Sequence, residues 1–189
     1  MRRFVSYLVV VLLLAYDGSV SPMLGGGRVS SAGARRSSLS ALRSSDGGAG
    51  AAAGGSMVME TRVLSAEVPE NRQEAADRLS AGENVAFPTE TVYGLGADAT
   101  NRVAVDNIFI IKGRVRTDPI IVHIYSFEDV GQWISGDIPV AAEVLAAAFW
   151  PGPMTLLFDK AAHVLDEVTC GQPTIGLRVP RHVAALDIL

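Results

Sequence analysis

Cysteine is nearly absent from this sequence, and its charged residues are few and close to balance. One cysteine, Cys170, occurs among 189 residues, which excludes an internal disulfide framework. The three histidines are widely spaced and form no recognisable zinc pattern. Charged residues make up 19% of the chain, with 16 Lys+Arg against 20 Asp+Glu, which argues against a uniformly basic nucleic-acid-binding protein. Because 49% of the residues are hydrophobic, the chain is too apolar to be disordered, and a compact, enzyme-like domain is predicted.

The first 59 residues differ in composition from the rest. Two arginines precede an apolar run at residues 4–16, which is short for a bilayer span and fits the hydrophobic part of a signal peptide. We therefore predict a signal-peptide-like leader at residues 1–21, followed by a disordered, transit-like segment rich in Ser, Gly, Ala and Arg at residues 22–59. This arrangement predicts import into an organelle, either a plastid or a mitochondrion, and no stable membrane span in the mature protein. The alternatives are an uncleaved membrane anchor and a cytoplasmic protein whose translation starts at Met57 or Met59.

From residue 61 onward, strand and helix patterns alternate. Short runs rich in β-branched residues predict strands, and apolar stripes behind capping residues predict helices. The predicted strands are residues 61–65, 84–87, 120–124, 154–158 and 174–179, and the predicted helices are residues 71–82, 101–113, 126–133 and 138–150, with a last helix beginning near the end of the chain. This order predicts an α/β fold, a twisted and mostly mixed β-sheet flanked by helices.

The loop that follows the second predicted strand is rich in chemistry. Residues 88–96 carry two threonine hydroxyls, a carboxylate and the phenol of Tyr93 at the end of a strand, where open α/β sheets often bind ligands. An ordinary polar turn would have the same composition. Gly94 and Gly96 also begin a match to the dinucleotide-binding pattern G-x-G-x-x-A. That pattern should follow its strand at once, and six residues intervene here, so the match is weak.

Two further segments place cations beside apolar strands. Lys112, Arg114 and Arg116 fall within five residues and predict an anion site in an acidic domain, although a solvated basic turn after a helix fits equally. His123 lies within an apolar strand, where a buried structural role is the simpler interpretation. Arg178 interrupts another apolar strand, so it must meet either a ligand carboxylate or an internal acid.

Together these segments resemble the YrdC-like domain of threonylcarbamoyl-AMP synthases. The resemblance spans residues 62–189 and rests on residues 87–96, 108–109 with 112–114, 119–124, 149–155 and 174–180, whose order and spacing agree with the family. Only about the first two-thirds of such a domain is covered, so we expect the fold to be incomplete at its C-terminus, without the family's Ser-Ala-Asn segment. The sequence departs from the family pattern at Val115, where proline is usual, and at Asp118, which needs Mg²⁺ or Arg116 to offset its charge near a phosphate.

The resemblance implies an enzyme that condenses L-threonine, bicarbonate or CO2, and ATP into threonylcarbamoyl-AMP and pyrophosphate. A partner transferase would then modify adenosine 37 of tRNA. It also implies that Thr91, His123 and Arg178 contact threonine, with Arg178 holding the carboxylate. No catalytic residue is assigned by it. Lys112 and His123 are expected to position the substrates, and a general-base role for His123 stays open.

For the nucleotide, the resemblance implies contacts with ATP from Lys112, Arg114, Asp118 and Thr174, with Tyr93 lining the same cavity. Mg²⁺ would accompany the triphosphate, and no metal ligands of the protein's own are predicted. Two other functions remain as alternatives. One is a non-catalytic module of the same fold that binds double-stranded RNA or tRNA, and the other, much weaker, is a dinucleotide-dependent oxidoreductase.

Overall fold

The computed structural model describes residues 8–12 and 61–189, so the transit-like segment predicted at residues 22–59 lies outside the described residues. Among the residues described, none of the helices has the length and apolar character needed to cross a membrane. The elements, in chain order, are β1 (Leu8–Leu12), α1 (Pro69–Ser80), β2 (Val85–Phe87), β3 (Gly94–Asp98), α2 (Arg102–Lys112), β4 (Ile121–His123), a 3-10 helix (Phe127–Gln132), α3 (Val140–Phe149), β5 (Leu156–Asp159), α4 (Asp166–Thr169), β6 (Thr174–Arg178) and α5 (Val183–Ile188).

The strands form one six-stranded sheet in the order β2-β3-β1-β4-β6-β5. β4 and β6 pair in parallel, and every other neighbouring pair is antiparallel. The α/β fold with a mixed sheet and flanking helices is therefore confirmed. The parallel pair places His123 opposite Arg178 and Ile121 opposite Gly176, so these four residues share one face of the sheet.

The two faces of the sheet differ in burial. Val122, Ile175, Leu177 and Phe158 point to one face and lie in the main core, which the buried side of α2 completes. The opposite face is covered near β2, where Phe87 packs in a second cluster with residues of α1 and α5. Toward β5 the same face is open, because Leu157 is 72% exposed. This partly open face is where the candidate site lies.

β1 comes from the segment that the sequence predicts to be a leader. Its backbone lies between β3 and β4 and is antiparallel to both, with Leu8 opposite Asp98 on one side and His123 on the other. The sequence Leu-Val-Val-Val-Leu has the β-branched, apolar composition of a central strand. The signal-peptide-like leader at residues 1–21 stays a prediction. The apolar composition of residues 8–12 fits both a central strand and the hydrophobic part of a signal peptide.

The residues that cap α2 are the ones that the sequence predicts, Asn101 and Gly113. The Asn101 side chain accepts hydrogen bonds from the backbone N–H groups of Val103 and Ala104, at 3.1 and 3.3 Å. Gly113 ends the helix in the left-handed conformation, with φ of 58°, which glycine adopts without strain. Both ends of this helix therefore agree with the prediction.

Several predicted elements were wrong in position or type. Residues 61–65 form no strand. α1 begins at Pro69 rather than Asn71, because proline suits the first helical turn, and the Asn71 amide instead donates to the Ser65 carbonyl. The reciprocal cap at Ser126 is present, but the helix behind it is a 3-10 helix. β3 and α4 were not predicted.

Candidate active site

The candidate site is built around Arg178, the last residue of β6. Arg178 is 3% exposed, so its guanidinium needs internal partners. Its Nε donates to the Gly152 carbonyl at 3.1 Å, and its Nη2 donates to Glu90 Oε1 at 2.6 Å and to Thr91 Oγ1 at 3.3 Å. Of the two partners that the sequence left open, an internal acid is therefore present. This acid could have been found from the sequence, because Glu90 is the one acidic residue in the loop that precedes β3.

Glu90 uses both of its carboxylate oxygens. Oε1 accepts from Arg178, and Oε2 accepts from the backbone N–H of Arg181 at 3.1 Å. Burial alone would raise the pKa of Glu90, but the hydrogen bond and charge of Arg178, together with backbone N–H groups, outweigh it and hold that pKa below its usual value. Glu90 was not among the predicted site residues.

His123 lies beside Arg178 on the neighbouring strand. The side chain is 1% exposed, and its ring meets that of Phe87 edge-on with 6.4 Å between the centroids. Within the described part of the chain, Nδ1 is buried and has no hydrogen-bond partner. Burial, and then the charge of Arg178, lowers the pKa of His123 to about 3. The imidazole is therefore neutral at physiological pH and is suited to hydrogen bonding rather than to holding a positive charge.

The loop between β2 and β3 brings Thr91 to the guanidinium. Thr89 Oγ1 accepts from the backbone N–H groups of Thr91 and Val92, both at 3.2 Å, and donates to the Val92 carbonyl at 2.6 Å. The two threonine hydroxyls lie 3.1 Å apart. This local turn fixes Thr91 toward Arg178. Tyr93, in the same loop, is 62% exposed.

The turn after α3 supplies the carbonyl that holds Arg178. The Gly152 N–H donates to the Val179 carbonyl at 2.8 Å, and the peptide bond between Trp150 and Pro151 is cis. A Cβ at Gly152 would lie 2.3 Å from the Phe149 carbonyl oxygen, so only glycine fits there. Residues 149–155, one of the segments on which the resemblance rests, therefore contact the site through this carbonyl.

A second cluster of charge lies at the end of α2. Arg114 donates from Nε to the Asp118 carbonyl at 3.3 Å and from Nη2 to the Pro119 carbonyl at 3.1 Å, and it pairs with the Asp118 carboxylate at 2.5 Å. Of the two ways of offsetting the charge of Asp118 that the sequence left open, Mg²⁺ or Arg116, the second does not apply, because Arg116 pairs with Asp106 and Arg114 meets Asp118 instead. Burial and the charge of Arg114 lower the pKa of Lys112.

Thr174 begins β6, four residues before Arg178, so both side chains lie on the same face about 13 Å apart. Gly176 lies between them. A Cβ at Gly176 would meet Thr155 Cγ2 at 3.1 Å and Leu157 Cδ2 at 3.5 Å. Because Gly176 has no side chain, Thr155 and Leu157 can pack closely over the strand at this position.

The structure thus brings Thr91, His123 and Arg178 together, with Thr174 further along the same face. Arg114 and Asp118 form a separate cluster, in which the Arg114 guanidinium contacts Asp118 and Pro119 of the same loop. The glycines of the dinucleotide-like pattern do not form a phosphate-binding turn. Gly94 and Gly96 lie inside β3 and pair with β2, so the strand–turn–helix geometry which that pattern requires is absent there, and the oxidoreductase alternative loses its basis.

Comparisons with known proteins agree on one family. The Sua5/YciO/YrdC family model, described as Telomere recombination, matches residues 77–189. Threonylcarbamoyl-AMP synthase of Pyrococcus abyssi is 47% identical over 115 residues, which cover 61% of this chain and 34% of that protein. The enzyme of the same name from Bacillus subtilis is 42% identical over 130 residues, which cover 68% of this chain and 37% of that protein.

A solved structure supports the same relationship. The crystal structure of P. abyssi Sua5 complexed with L-threonine superposes with a TM-score of 0.62 at 45% identity, and the match covers 64% of this chain and 35% of that one. The chain thus spans about a third of the length of these relatives. The family model covers more than half of the chain, and the relatives and the superposition agree with it, so the chain belongs to the Sua5/YciO/YrdC family.

Proposed function

We propose that this protein is a threonylcarbamoyl-AMP synthase, which makes threonylcarbamoyl-AMP and pyrophosphate from L-threonine, bicarbonate or CO2, and ATP. The observation that carries the proposal is the set of polar groups that lie beside Arg178. A buried guanidinium, the Thr91 hydroxyl and the buried Nδ1 of His123, which has no hydrogen-bond partner among the described residues, meet on the face of the sheet that is open toward β5. The names of the relatives, and the threonine in the P. abyssi complex, support the choice of amino acid.

In the threonine site, Arg178 would bind the carboxylate. Its Nε and Nη2 donate to Gly152, Glu90 and Thr91, and in the part of the chain that the structure describes the N–H groups of Nη1 make no hydrogen bond, so these would bind the ligand. Thr91 and the neutral imidazole of His123 would bind the remaining polar groups of the amino acid. Because the lowered pKa of His123 makes it a weak base, we assign it a positioning role.

The reaction needs no protein nucleophile. The neutral threonine amine adds to CO2, and the adduct loses a proton to solvent to give a carbamate. A carbamate oxygen then attacks the α-phosphorus of ATP. The bond between that phosphorus and the bridging oxygen breaks, and pyrophosphate leaves. The reactants carry negative charge, so cations that hold them in line can supply much of the acceleration.

For ATP, we propose contacts from Lys112, Arg114, Asp118 and Thr174, with Tyr93 at the rim. The charge of Arg114 contributes to the lowered pKa of Lys112, and a phosphate bound between these two cations would relieve their repulsion. Among residues 61–189, no three His, Cys, Asp or Glu side chains gather as a metal site. Mg²⁺ would arrive bound to the phosphates of ATP, whose charge it offsets.

The test is pyrophosphate release by the purified protein with ATP, bicarbonate and L-threonine, together with detection of threonylcarbamoyl-AMP by mass spectrometry. We expect release to require all three substrates and to fall about 100-fold or more in Arg178→Ala and in Arg114→Ala. Arg78→Ala is the matched control, because Arg78 pairs with Glu74 and Glu83 on the surface of α1. Release that does not depend on threonine, or that both site variants leave unchanged, would refute the proposal.

We further propose that the product serves a transferase acting on adenosine 37 of tRNA, and that residues 1–59 direct the protein to an organelle. Transfer of threonylcarbamoyl from the product to tRNA by a separately purified transferase tests the first. A fluorescent protein fused behind residues 1–59 tests the second, and uniform fluorescence throughout the cytoplasm would contradict it.

A further inference from the structure

Glu90 links two parts of the chain that meet only in the folded protein. Its Oε1 accepts from Arg178 Nη2, and its Oε2 accepts from the backbone N–H of Arg181 in the turn between β6 and α5. We propose that Glu90 is a positioning residue, which sets the direction in which Arg178 offers its remaining N–H groups to the carboxylate of an amino acid. This inference rests on the proposed function and gives a role to a residue for which the resemblance and the comparisons imply none.

The first step of the argument is the geometry of the guanidinium. The group is planar, so its orientation is set once two of its nitrogens are fixed. Gly152 fixes Nε from one side at 3.1 Å, and Glu90 fixes Nη2 from another at 2.6 Å. The direction of Nη1 follows from these two contacts. Without Glu90, only the Gly152 carbonyl and a longer contact of 3.3 Å to Thr91 would hold the group.

The second step is that Glu90 is itself held in place. Both of its oxygens have partners, so the carboxylate cannot rotate without breaking one contact. Its anchor at Arg181 is tied in turn to the turn after α3, because Arg181 Nε donates to the Pro151 carbonyl at 3.0 Å. The side chain of Glu90 is 18% exposed, which limits competition from water. The ion pair with Glu90 can thus hold the Arg178 guanidinium in one orientation.

The third step concerns charge. Glu90 offsets the positive charge of Arg178 before any ligand arrives, so the pair does not attract anions strongly by net charge alone. Recognition of a carboxylate then depends on where the N–H groups of Nη1 point. Loss of Glu90 should therefore weaken discrimination between ligands with and without a carboxylate, even though it leaves the site more positive.

The experiment compares binding of L-threonine and L-threoninol, in which CH2OH replaces the carboxylate, by isothermal titration calorimetry on the complete chain. The wild-type protein should prefer L-threonine. In Glu90→Gln, this preference should fall about tenfold, because one amide oxygen cannot accept from both Arg178 and Arg181. Glu83→Gln is the matched control, since Glu83 makes a comparable ion pair with Arg78 but lies on the surface. It should keep the wild-type preference.

Melting curves accompany each variant. If Glu90→Gln is unfolded at the assay temperature, Glu90→Asp replaces it, because aspartate keeps the charge but is too short to reach both partners. We expect Glu90→Asp also to lower the preference for L-threonine. A wild-type preference that either folded variant retains, while Arg178→Lys loses it, overturns the role of Glu90. A wild-type protein that binds both ligands equally contradicts the proposed threonine site itself.

Discussion

Replacing Gly152 by alanine tests whether the turn after α3 supports both the fold and the site. The Gly152 N–H binds the Val179 carbonyl, and the Gly152 carbonyl accepts from Arg178 Nε. An added Cβ would lie 2.3 Å from the Phe149 carbonyl oxygen, whereas Cβ contacts under 3.0 Å essentially never occur. Because the obstructing atom belongs to the backbone, a side-chain rotation cannot remove the clash, and the turn must move by at least about 0.7 Å.

Overpacking of this kind destabilises a protein by about 1–3 kcal/mol, which for a domain of this size lowers the melting temperature by roughly 4–12 °C. The same movement would carry the Gly152 carbonyl away from Arg178. We therefore expect Gly152→Ala to melt earlier and also to bind L-threonine more weakly at temperatures where it is still folded. Differential scanning calorimetry and titration calorimetry measure these two effects separately.

Gly131→Ala is the matched control, because a Cβ at Gly131 meets nothing within 4 Å. It should melt within about 2 °C of the wild-type protein, since surface substitutions of this kind change stability little. Suppose that Gly152→Ala had the same melting temperature as Gly131→Ala and kept the wild-type affinity for L-threonine. The contact between this turn and Arg178 would then contribute neither to stability nor to threonine binding.

Two further predictions concern a buried base and a helix cap. The pKa of His123 is lowered to about 3 in the folded protein, so as the pH falls below 6.5 this histidine is protonated in the unfolded chain but not in the folded one. Its titration alone should therefore lower the free energy of unfolding by about 2 kcal/mol at pH 5. His123→Gln should lose correspondingly less between pH 7 and pH 5 in urea unfolding, and equal losses would contradict the lowered pKa. Asn101→Ala should cost about 1 kcal/mol through loss of the α2 cap, whereas Asn101→Asp should nearly restore stability, and equal stability of all three proteins would be the contrary result.

Elements whose signals are local were predicted well. α2 begins behind an Asn cap and ends at a glycine, and β4 is a short β-branched run, so a few neighbouring residues determine each. β3 was missed because its Gly-Leu-Gly-Ala-Asp sequence has low strand propensity. It becomes a strand through pairing with β2 and β1, a contact that the local sequence does not encode.

The sequence by itself determined the fold class, both ends of α2 and the residue types of the site, because hydrophobic period and capping act over a few residues. The resemblance to the YrdC-like family, rather than any local pattern, placed Thr91, His123 and Arg178 among the candidates. Only the tertiary structure decided that Glu90 meets Arg178, since they lie 88 positions apart in the sequence and their contact depends on how the strands are ordered. It also decided that Arg114, rather than Arg116, meets Asp118, because charged side chains choose among several neighbours by geometry that only the folded backbone sets.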